Sequence, residues 1–524
     1  MHLSKRGLVC FTLVLCLLLP AFAPAEGKTK AQQFVDSITL GWNLGNRLDS
    51  NSRSQFENAG LSQETCWGNP PVTEEMISAV KEAGFNLIRV PVTWYNHMDD
   101  NYVIDPAWLD RAAQIASWVI DENTWCIINV HHDTGSKGWM RATDRPAEGA
   151  LSVEEMKRIF VSVWQQIAGR FRDFGDHLIF EGFNELLDER GEWNSPRADA
   201  IAAVNEYNRL FVETVRASGG NNAGRVLIVN PYAASTVQNV LAGLKLPEDS
   251  AEGCIAVSVH IYQPWEFTSA DYRDQKTWSM SSINSAFANV QLFLQRRGIP
   301  VLVGEFGAEG KNNPRERAEW AYYFVKKART QGIKCVWWDN GVLFRIVNPR
   351  TGKVCEPEIV KALFAAANGK DYTYTEAETK TANLCDTMGN YAFWTDRSAG
   401  ADAEYELSEN GVTVHIKNGG RDPWSVQASY KPLTLEKGGT YRVSFKAKAE
   451  KQTEIRVYLQ RDYGTYETLS GTKALLKEEE DTFSFIFYMS RATENNAALV
   501  FNCGGNTQDA ENTVSISDLV ICVK

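Results

Sequence analysis

Little in this sequence would hold a nucleic acid or a membrane. Acidic residues outnumber basic ones, 65 to 54, for a formal net charge of −11 and a pI near 5.4. A polyanion or an anionic lipid surface rewards a basic face, so neither is expected as a partner. Apolar runs long enough to span a bilayer, about 20 residues, are missing too. The nearest is Leu8–Leu19, preceded by Lys5 and Arg6 and followed by Ala23-Pro24-Ala25. A short apolar run between a basic start and small residues predicts a secretory signal peptide over 1–25, and hence an exported protein, extracellular or periplasmic. Low-complexity tracts and short repeats are absent. Of the ten cysteines, Cys10 and Cys16 lie in the leader, and Cys126 and Cys335 sit inside apolar strand-like runs. There they read as buried small hydrophobes rather than as bridges.

What is present is a long alternation. At 524 residues, 44% hydrophobic and 23% charged, the chain exceeds one ordinary core, and two domains are expected. Between Lys30 and Asn368, eight short apolar segments alternate with helical stretches: "ITLGWN", "NLIRVPV", "WCIINVHH", "LIFEGFNE", "VLIVNPY", "IAVSVHIY", "VLVGEFG" and "CVWWDN". Near-continuous Val, Ile and Leu marks strands buried on both faces. Helices fit between them: "TEEMISAVKEAG" from Thr73 has a capping-box start and a glycine stop, and the segment from Pro106 opens on a proline. The pattern predicts an α/β fold, a (β/α)8 TIM barrel over 30–368, with an open doubly wound sheet as the structural rival. A polar, threonine-rich linker over 369–384 follows. Over 385–524 the period shortens to two, as in "TYRVSFKAKA" and "TEIRVYLQ", which predicts an all-β jelly-roll sandwich.

In such a barrel the C-terminal strand ends form the active face. They carry Asn43, Arg89, His131, His132, Asn184, Glu185, Tyr232, His260, Tyr262, Glu305, Trp338 and Asp339, including three of only seven histidines. Glu185 closes the fourth strand and Glu305 the seventh, so closure puts two carboxylates across one cavity. Cleavage of an acetal needs that pair: one group protonates the leaving oxygen and the other attacks the anomeric carbon, with a separation of about 5 to 5.5 Å selecting the retaining route. The scarcity of Lys and Arg at these ends favours a neutral glycan. Trp42, Trp67, Trp94, Trp139, Trp193 and Trp265 fall at or just past strand ends, where a polysaccharide cleft would use flat apolar platforms.

The motifs "GWNLGN", "AGFNLIRVPVTW", "IINVHHD", "HLIFEGFNE", "SVHIY", "VLVGEFG" and "CVWWDNG", in that order, resemble glycoside hydrolase family 5, in particular its subfamily 4 of endo-β-1,4-glucanases and xyloglucanases. The resemblance implies that Glu185 is the acid/base and Glu305 the nucleophile. It implies substrate-binding roles for Asn43, Arg89, His131, His132, Asn184, His260, Tyr262 and Trp338. Asn184 would hold the 2-hydroxyl, Arg89 and Tyr262 would keep Glu305 ionised, the charge on Glu305 would raise the pKa of Glu185, and Trp338 would stack under a pyranose. The expected protein is a secreted retaining endo-β-1,4-glucanase acting as a monomer on cellulose, mixed-linkage glucan or xyloglucan, with no cofactor and no metal. A β-mannanase or glucomannanase of the same family, or a secreted glycan-binding protein without catalysis, is the alternative. A metal-dependent hydrolase built on His131, His132, Asp133 and His260 is disfavoured, because adjacent strand residues point to opposite faces. "PLTLEKGGTYRVSFKAKAE" resembles family 4/9-type carbohydrate-binding modules, with Trp394, Trp424, Tyr463 and Tyr466 as candidate ligand platforms.

Overall fold

The computed structural model describes residues 27–51, 58–135, 138–144, 150–272, 274–311, 313–349, 352–375, 391–408, 410–505 and 511–523. The expected signal peptide over 1–25 and most of the expected linker over 369–384 lie outside them. The chain divides into two compact units, Met1–Gly310 with Arg315–Thr373, and Lys311–Pro314 with Tyr374–Lys524.

The first unit is a closed barrel of eight parallel strands: β1 (Gly41–Leu44), β2 (Leu87–Val90), β3 (Trp125–Asn129), β4 (Leu178–Glu181), β5 (Leu227–Val229), β6 (Ile255–His260), β7 (Val301–Phe306) and β8 (Lys334–Asp339). Pairing of β1 with β8 closes the ring and excludes the open sheet. Gly41 sits at that seam, where a Cβ would lie 2.8 Å from the side chain of Val336. The inside is filled in layers, because alternate residues of each strand point inward. At the N-terminal end Leu87, Ile127, Ile179, Ile228, Ala256, Leu302 and Val336 form one apolar cluster, plugged by Ala31, Phe34 and Val35 of the first helix. Two residues further along the strands the inward positions are Arg89, Asn129, Glu181 and Asn230, so the apolar floor gives way to a polar layer facing the mouth.

Helix ends follow local chemistry. The capping box expected at Thr73 is only half made, since Thr73 accepts from the amide of Met76 and a methionine has nothing to return. A full box stands at Ser152 and Glu155, heading the helix Val153–Arg170. No disulfide joins any two of the seven described cysteines. No helix among the described residues is long and apolar enough to cross a membrane.

His97, in the turn after β2, is buried and stacked on Trp108 at 3.6 Å, and neither ring nitrogen has a partner among the described residues. Burial, opposed weakly by Asp105, pushes its pKa down to about 3. The unfolded chain, with an ordinary histidine pKa of about 6.5, binds that proton first. Stability from this site is therefore full above pH 6.5 and falls as pH drops toward 3, by about 1.4 kcal/mol per unit. Urea unfolding at pH 7 and pH 4.5 should show a loss about 2–3 kcal/mol larger in wild type than in His97→Phe. Equal losses would remove His97 as a source of acid sensitivity.

The second unit packs two antiparallel five-stranded sheets. The strands are β9 (Tyr391–Thr395), β10 (Asp402–Ser408), β11 (Gly411–Asn418), β12 (Val426–Leu435), β13 (Thr440–Ala449), β14 (Thr453–Arg461), β15 (Thr468–Leu476), β16 (Asp481–Tyr488), β17 (Glu494–Asn502) and β18 (Asn512–Val523). The sheet orders are β10-β11-β18-β13-β16 and β15-β14-β17-β12-β9. Alternate residues of both, among them Val443, Phe445, Val457, Leu499 and Phe501, form one core.

Candidate active site

Arg89 is the hub of the polar layer and has no exposed surface. Its Nε donates to Glu181 at 2.6 Å, its Nη1 to Glu305 at 2.7 Å and to Asn43 at 2.9 Å, and its Nη2 to Asn184 at 3.0 Å. A planar fork with fixed donors suits this task in a way a lysine could not match. Burial alone would lower the Arg89 pKa, but Glu181 and Glu305 raise it overall, so it stays charged.

Glu305 is placed by an irregularity. The register of β7 shifts against both β6 and β8 on either side of it, and such a bulge re-aims a side chain. It turns the carboxylate toward Arg89 and toward the Tyr262 hydroxyl, which donates to it at 2.9 Å. Beyond β4, Glu185 lies 2.8 Å from Nδ1 of His260, which is also 3.6 Å from Glu305. Ligand atoms of Glu185, His260 and Glu305 all fall within 4.8 Å of one another. The two acids differ in setting: the Glu305 side chain is 6% exposed and that of Glu185 is 23% exposed.

The electrostatics depart from the expectation in one respect. Burial raises the Glu305 pKa overall; His260 and Arg89 oppose this, Glu185 adds to it, and the Tyr262 hydrogen bond is too small to reverse it. Removal of the carboxylate from water outweighs the charges that favour ionisation. Burial likewise lowers His260, but Glu305 and Glu185 outweigh it and the net direction is up. Burial holds His131 well below the usual histidine range, with His132, Arg89 and His260 adding, so it is neutral.

Which nitrogen of His131 carries the proton is fixed by Asn129. The Asn129 oxygen accepts from the Val92 amide at 3.2 Å, which orients its NH2 toward Glu181 at 3.3 Å and toward Nδ1 of His131 at 3.1 Å. Nδ1 is thus an acceptor and Nε2 bears the hydrogen. Trp338, half-buried, stacks parallel to the His131 ring at 5.7 Å.

The remaining strand-end residues divide between the buried layer, the opening and the loops. Asn43 is a strut: it is fully buried, and its NH2 donates to the carbonyls of Gly304, Val336 and Trp337. It and Arg89 are both fully buried and bonded to each other, with Arg89 reaching Glu305. Asn184 gives its oxygen to Arg89, and its NH2 has no protein partner among the described residues. His132 lies 3.7 Å from Asp49 and against the ring of Trp67, at the edge of the opening. Tyr232 bonds the amide of Asp188 and the carbonyl of Glu192, and Asp339 accepts from Trp42 and three backbone amides, so both shape loops.

Strand alternation does not keep the two adjacent histidines apart. His131 and His132 lie past the end of β3, with rings 4.5 Å apart, and with Asp49 they bring ligand atoms within 4.8 Å. The tautomer supplies a better argument against a metal, because His131 presents N–H rather than a lone pair to that cluster. Asp133 is occupied by the amides of Trp94 and Tyr95 and by the Trp139 indole.

Of the six further tryptophans, Trp42, Trp94 and Trp139 are buried packing, whereas Trp67, Trp193 and Trp265 are exposed in the segments that follow β1, β4 and β6, Trp265 at the start of the short helix Trp265–Thr268. A cavity of about 610 Å³ beside Glu185 is lined by His132, Thr134, Asn184, Leu187 and Trp193. Arg141 and Arg190 line it too, so cations are less scarce than the strand ends suggest. Arg190 is bound to Asp188, and Arg141 donates to the carbonyls of Thr134, Gly135 and Met140. Glu181, Asn129 and Asn230 were not anticipated.

In the second unit, Trp394, Trp424, Tyr463 and Tyr466 are all exposed. Trp394, Gln427, Asn502 and Arg456 face each other across four neighbouring strands, and Gln427 donates to Asn502 at 2.8 Å. Beside them the Tyr458 ring lies over Gly471, where a Cβ would come within 2.2 Å of it.

Comparison with known proteins agrees with both units. Residues 50–343 match the family model for cellulase (glycosyl hydrolase family 5), and residues 377–511 match a carbohydrate binding domain. Endoglucanase 1 of Ruminococcus albus is 41% identical over 318 residues, covering 60% of this chain and 74% of that one. A GH5-4 broad-specificity endoglucanase from Ruminococcus champanellensis, solved with bound cellotriose, is 36% identical with a TM-score of 0.59, covering 64% of this chain and 98% of that one. A Prevotella bryantii family 5 enzyme solved with a xyloglucan tetradecasaccharide is 33% identical with a TM-score of 0.59, covering 65% and 99%. The chain belongs to glycosyl hydrolase family 5, as a glycoside hydrolase of the endoglucanase type with a C-terminal carbohydrate-binding domain.

Proposed function

We propose that the protein is a secreted, retaining endo-β-1,4-glucanase in which Glu305 is the nucleophile and Glu185 the acid/base. The observation that carries the reading is the carboxylate pair, with oxygens within 4.8 Å and His260 between them. That spacing matches the retaining arrangement and leaves no room for the water that an inverting enzyme holds between its acids. The asymmetry supports this division of roles. Glu305 is fixed by Arg89 and Tyr262, as an attacking group must be. Glu185 is the more open of the two, as a group that exchanges protons with leaving group and water must be.

Around this pair, His131 offers Nε2–H, Asn184 offers an NH2 without a protein partner among the described residues, and Trp338 offers a ring face. Such donors and an aromatic platform fit the hydroxyls and the C–H face of a neutral pyranose. The relatives are endoglucanases, one with cellotriose and one with a xyloglucan fragment, which supports β-1,4-glucans, plain or branched, as substrates. The basic, apolar, small-residue pattern of 1–25 supports secretion.

The test measures viscosity and reducing ends together on carboxymethylcellulose, mixed-linkage β-glucan, xyloglucan and glucomannan. Viscosity should collapse while few reducing ends have appeared on at least one of the first three. Release of nothing from any β-glucan would make the glycan-binding protein the better account.

A further inference from the structure

Under the carboxylate pair lies a third acid that touches only protein. Glu181 is 1% exposed. One of its oxygens accepts from Arg89 at 2.6 Å and from Asn129 at 3.3 Å, and the other accepts from Asn230 at 3.0 Å. Arg89 therefore has two counter-charges, Glu181 and Glu305.

The consequence depends on the reading of Glu305 as nucleophile. When a Glu305 oxygen forms its bond to the anomeric carbon, the bond from that carbon to the leaving oxygen breaks. Its electron pair goes to the leaving oxygen, which takes the proton from Glu185. Glu305 becomes a neutral ester, and the negative charge ends on Glu185. Arg89 stays buried and has lost one of its two partners. An uncompensated buried cation is costly, and a site with Glu305 alone would resist the step by the amount of that cost.

We propose that Glu181 is a positioning residue for the reaction: it is the resident counter-ion that keeps Arg89 neutralised while Glu305 carries the sugar, and through Asn129 it fixes the His131 proton toward the ligand. It acts through other groups and meets no substrate. The charged or titratable groups around it are Arg89 on β2, His131 past β3, His260 on β6, Glu305 on β7 through Arg89, and Glu185 past β4. Burial would raise its pKa, but Arg89 and then His260 outweigh it and lower it overall, so the charge is present at neutral pH.

Glu181→Gln removes the charge with little change of shape. The Asn230 oxygen is buried without a partner among the described residues, so that amide can turn over and accept from the new NH2. The glutamine oxygen then still serves Arg89 and Asn129. The experiment follows labelling by a 2-deoxy-2-fluoro-cellobioside with a dinitrophenolate leaving group, with peptide mapping by mass spectrometry and a pH profile of kcat/KM. Wild type should label on Glu305. Glu181→Gln should label the same residue about 100-fold more slowly and reactivate faster. Its acid limb should move to lower pH, because the whole charge of Arg89 then favours ionised Glu305. Glu181→Asp keeps the charge and retracts it, so its acid limb should stay near wild type while kcat falls; this variant carries the test if the glutamine form does not fold. Labelling of Glu181→Gln at the wild-type rate with an unmoved acid limb, or a shifted limb in Glu181→Asp, would overturn the inference. Wild-type label on any residue but Glu305 would instead overturn the assignment of the nucleophile.

Discussion

Glu305→Gln is expected to lower kcat on soluble β-glucan by about 10,000-fold or more, while the protein stays folded. The amide cannot form the glycosyl-enzyme, and it sets an NH2 against either the Arg89 fork or the Tyr262 hydroxyl, both of which now donate to the carboxylate. Stability should not suffer to match. The folded-state pKa of Glu305 is raised, so above that pKa its ionisation disfavours the folded state relative to the unfolded chain. Arg89 keeps Glu181 as partner in the variant. Thermal unfolding at pH 7 should therefore give a Tm no lower than wild type, an instance of a site that trades stability for activity. A Tm drop of the size expected for a broken buried ion pair, about 3–5 kcal/mol of stability, would show that Glu305 is structural. Retained activity would remove it from the reaction.

Glu185→Ala should cost rate in proportion to how much the leaving group needs a proton. On glucan, whose leaving alkoxide is strongly basic, the loss should be about 100- to 10,000-fold. On 2,4-dinitrophenyl cellobioside, whose phenolate departs unaided, formation of the intermediate should stay close to wild type. Its hydrolysis should slow, because no base remains to activate water. The signature is a burst of dinitrophenolate followed by a slow steady state, with the steady state restored by azide as a nucleophile that needs no base. The structure explains why Glu185 can be removed cleanly: among the described residues its hydrogen-bond partner is His260, at 2.8 Å. An equal loss on both substrates, without a burst or azide rescue, would contradict the acid/base role and favour a binding one.

The barrel was legible because its strands are short apolar runs separated by helical segments, and both carboxylates sit where those runs end. Of the layer below, Arg89 was expected and its three companions were missed, for a physical reason. Arg89, Asn129, Glu181 and Asn230 each lie two residues beyond an inward apolar residue, Leu87, Ile127, Ile179 and Ile228. Counting by two from the floor of each strand would have found them, and an acid inside "LIFE" was the plainest signal. The bulge that turns Glu305 leaves no such mark, since register is set by neighbouring strands. The adjacent histidines were misread because β3 ends before them and alternation no longer applies. In the second unit β11, β13, β14, β16 and β18 showed their period, whereas Pro432 and a register shift between Tyr430 and Leu433 hide it in β12. Exposed aromatics there were readable, but Tyr458 over Gly471 depends on cross-strand register that sequence does not give.

The most direct test of opposed carboxylates acting by double displacement is the configuration of the sugar first released. Proton NMR of cellopentaose hydrolysis, read before the anomers equilibrate, should show the β-anomer of the new reducing end appearing first and the α-anomer growing in only at the rate of mutarotation. First appearance of the α-anomer would mean single displacement by water, which two oxygens within 4.8 Å do not accommodate.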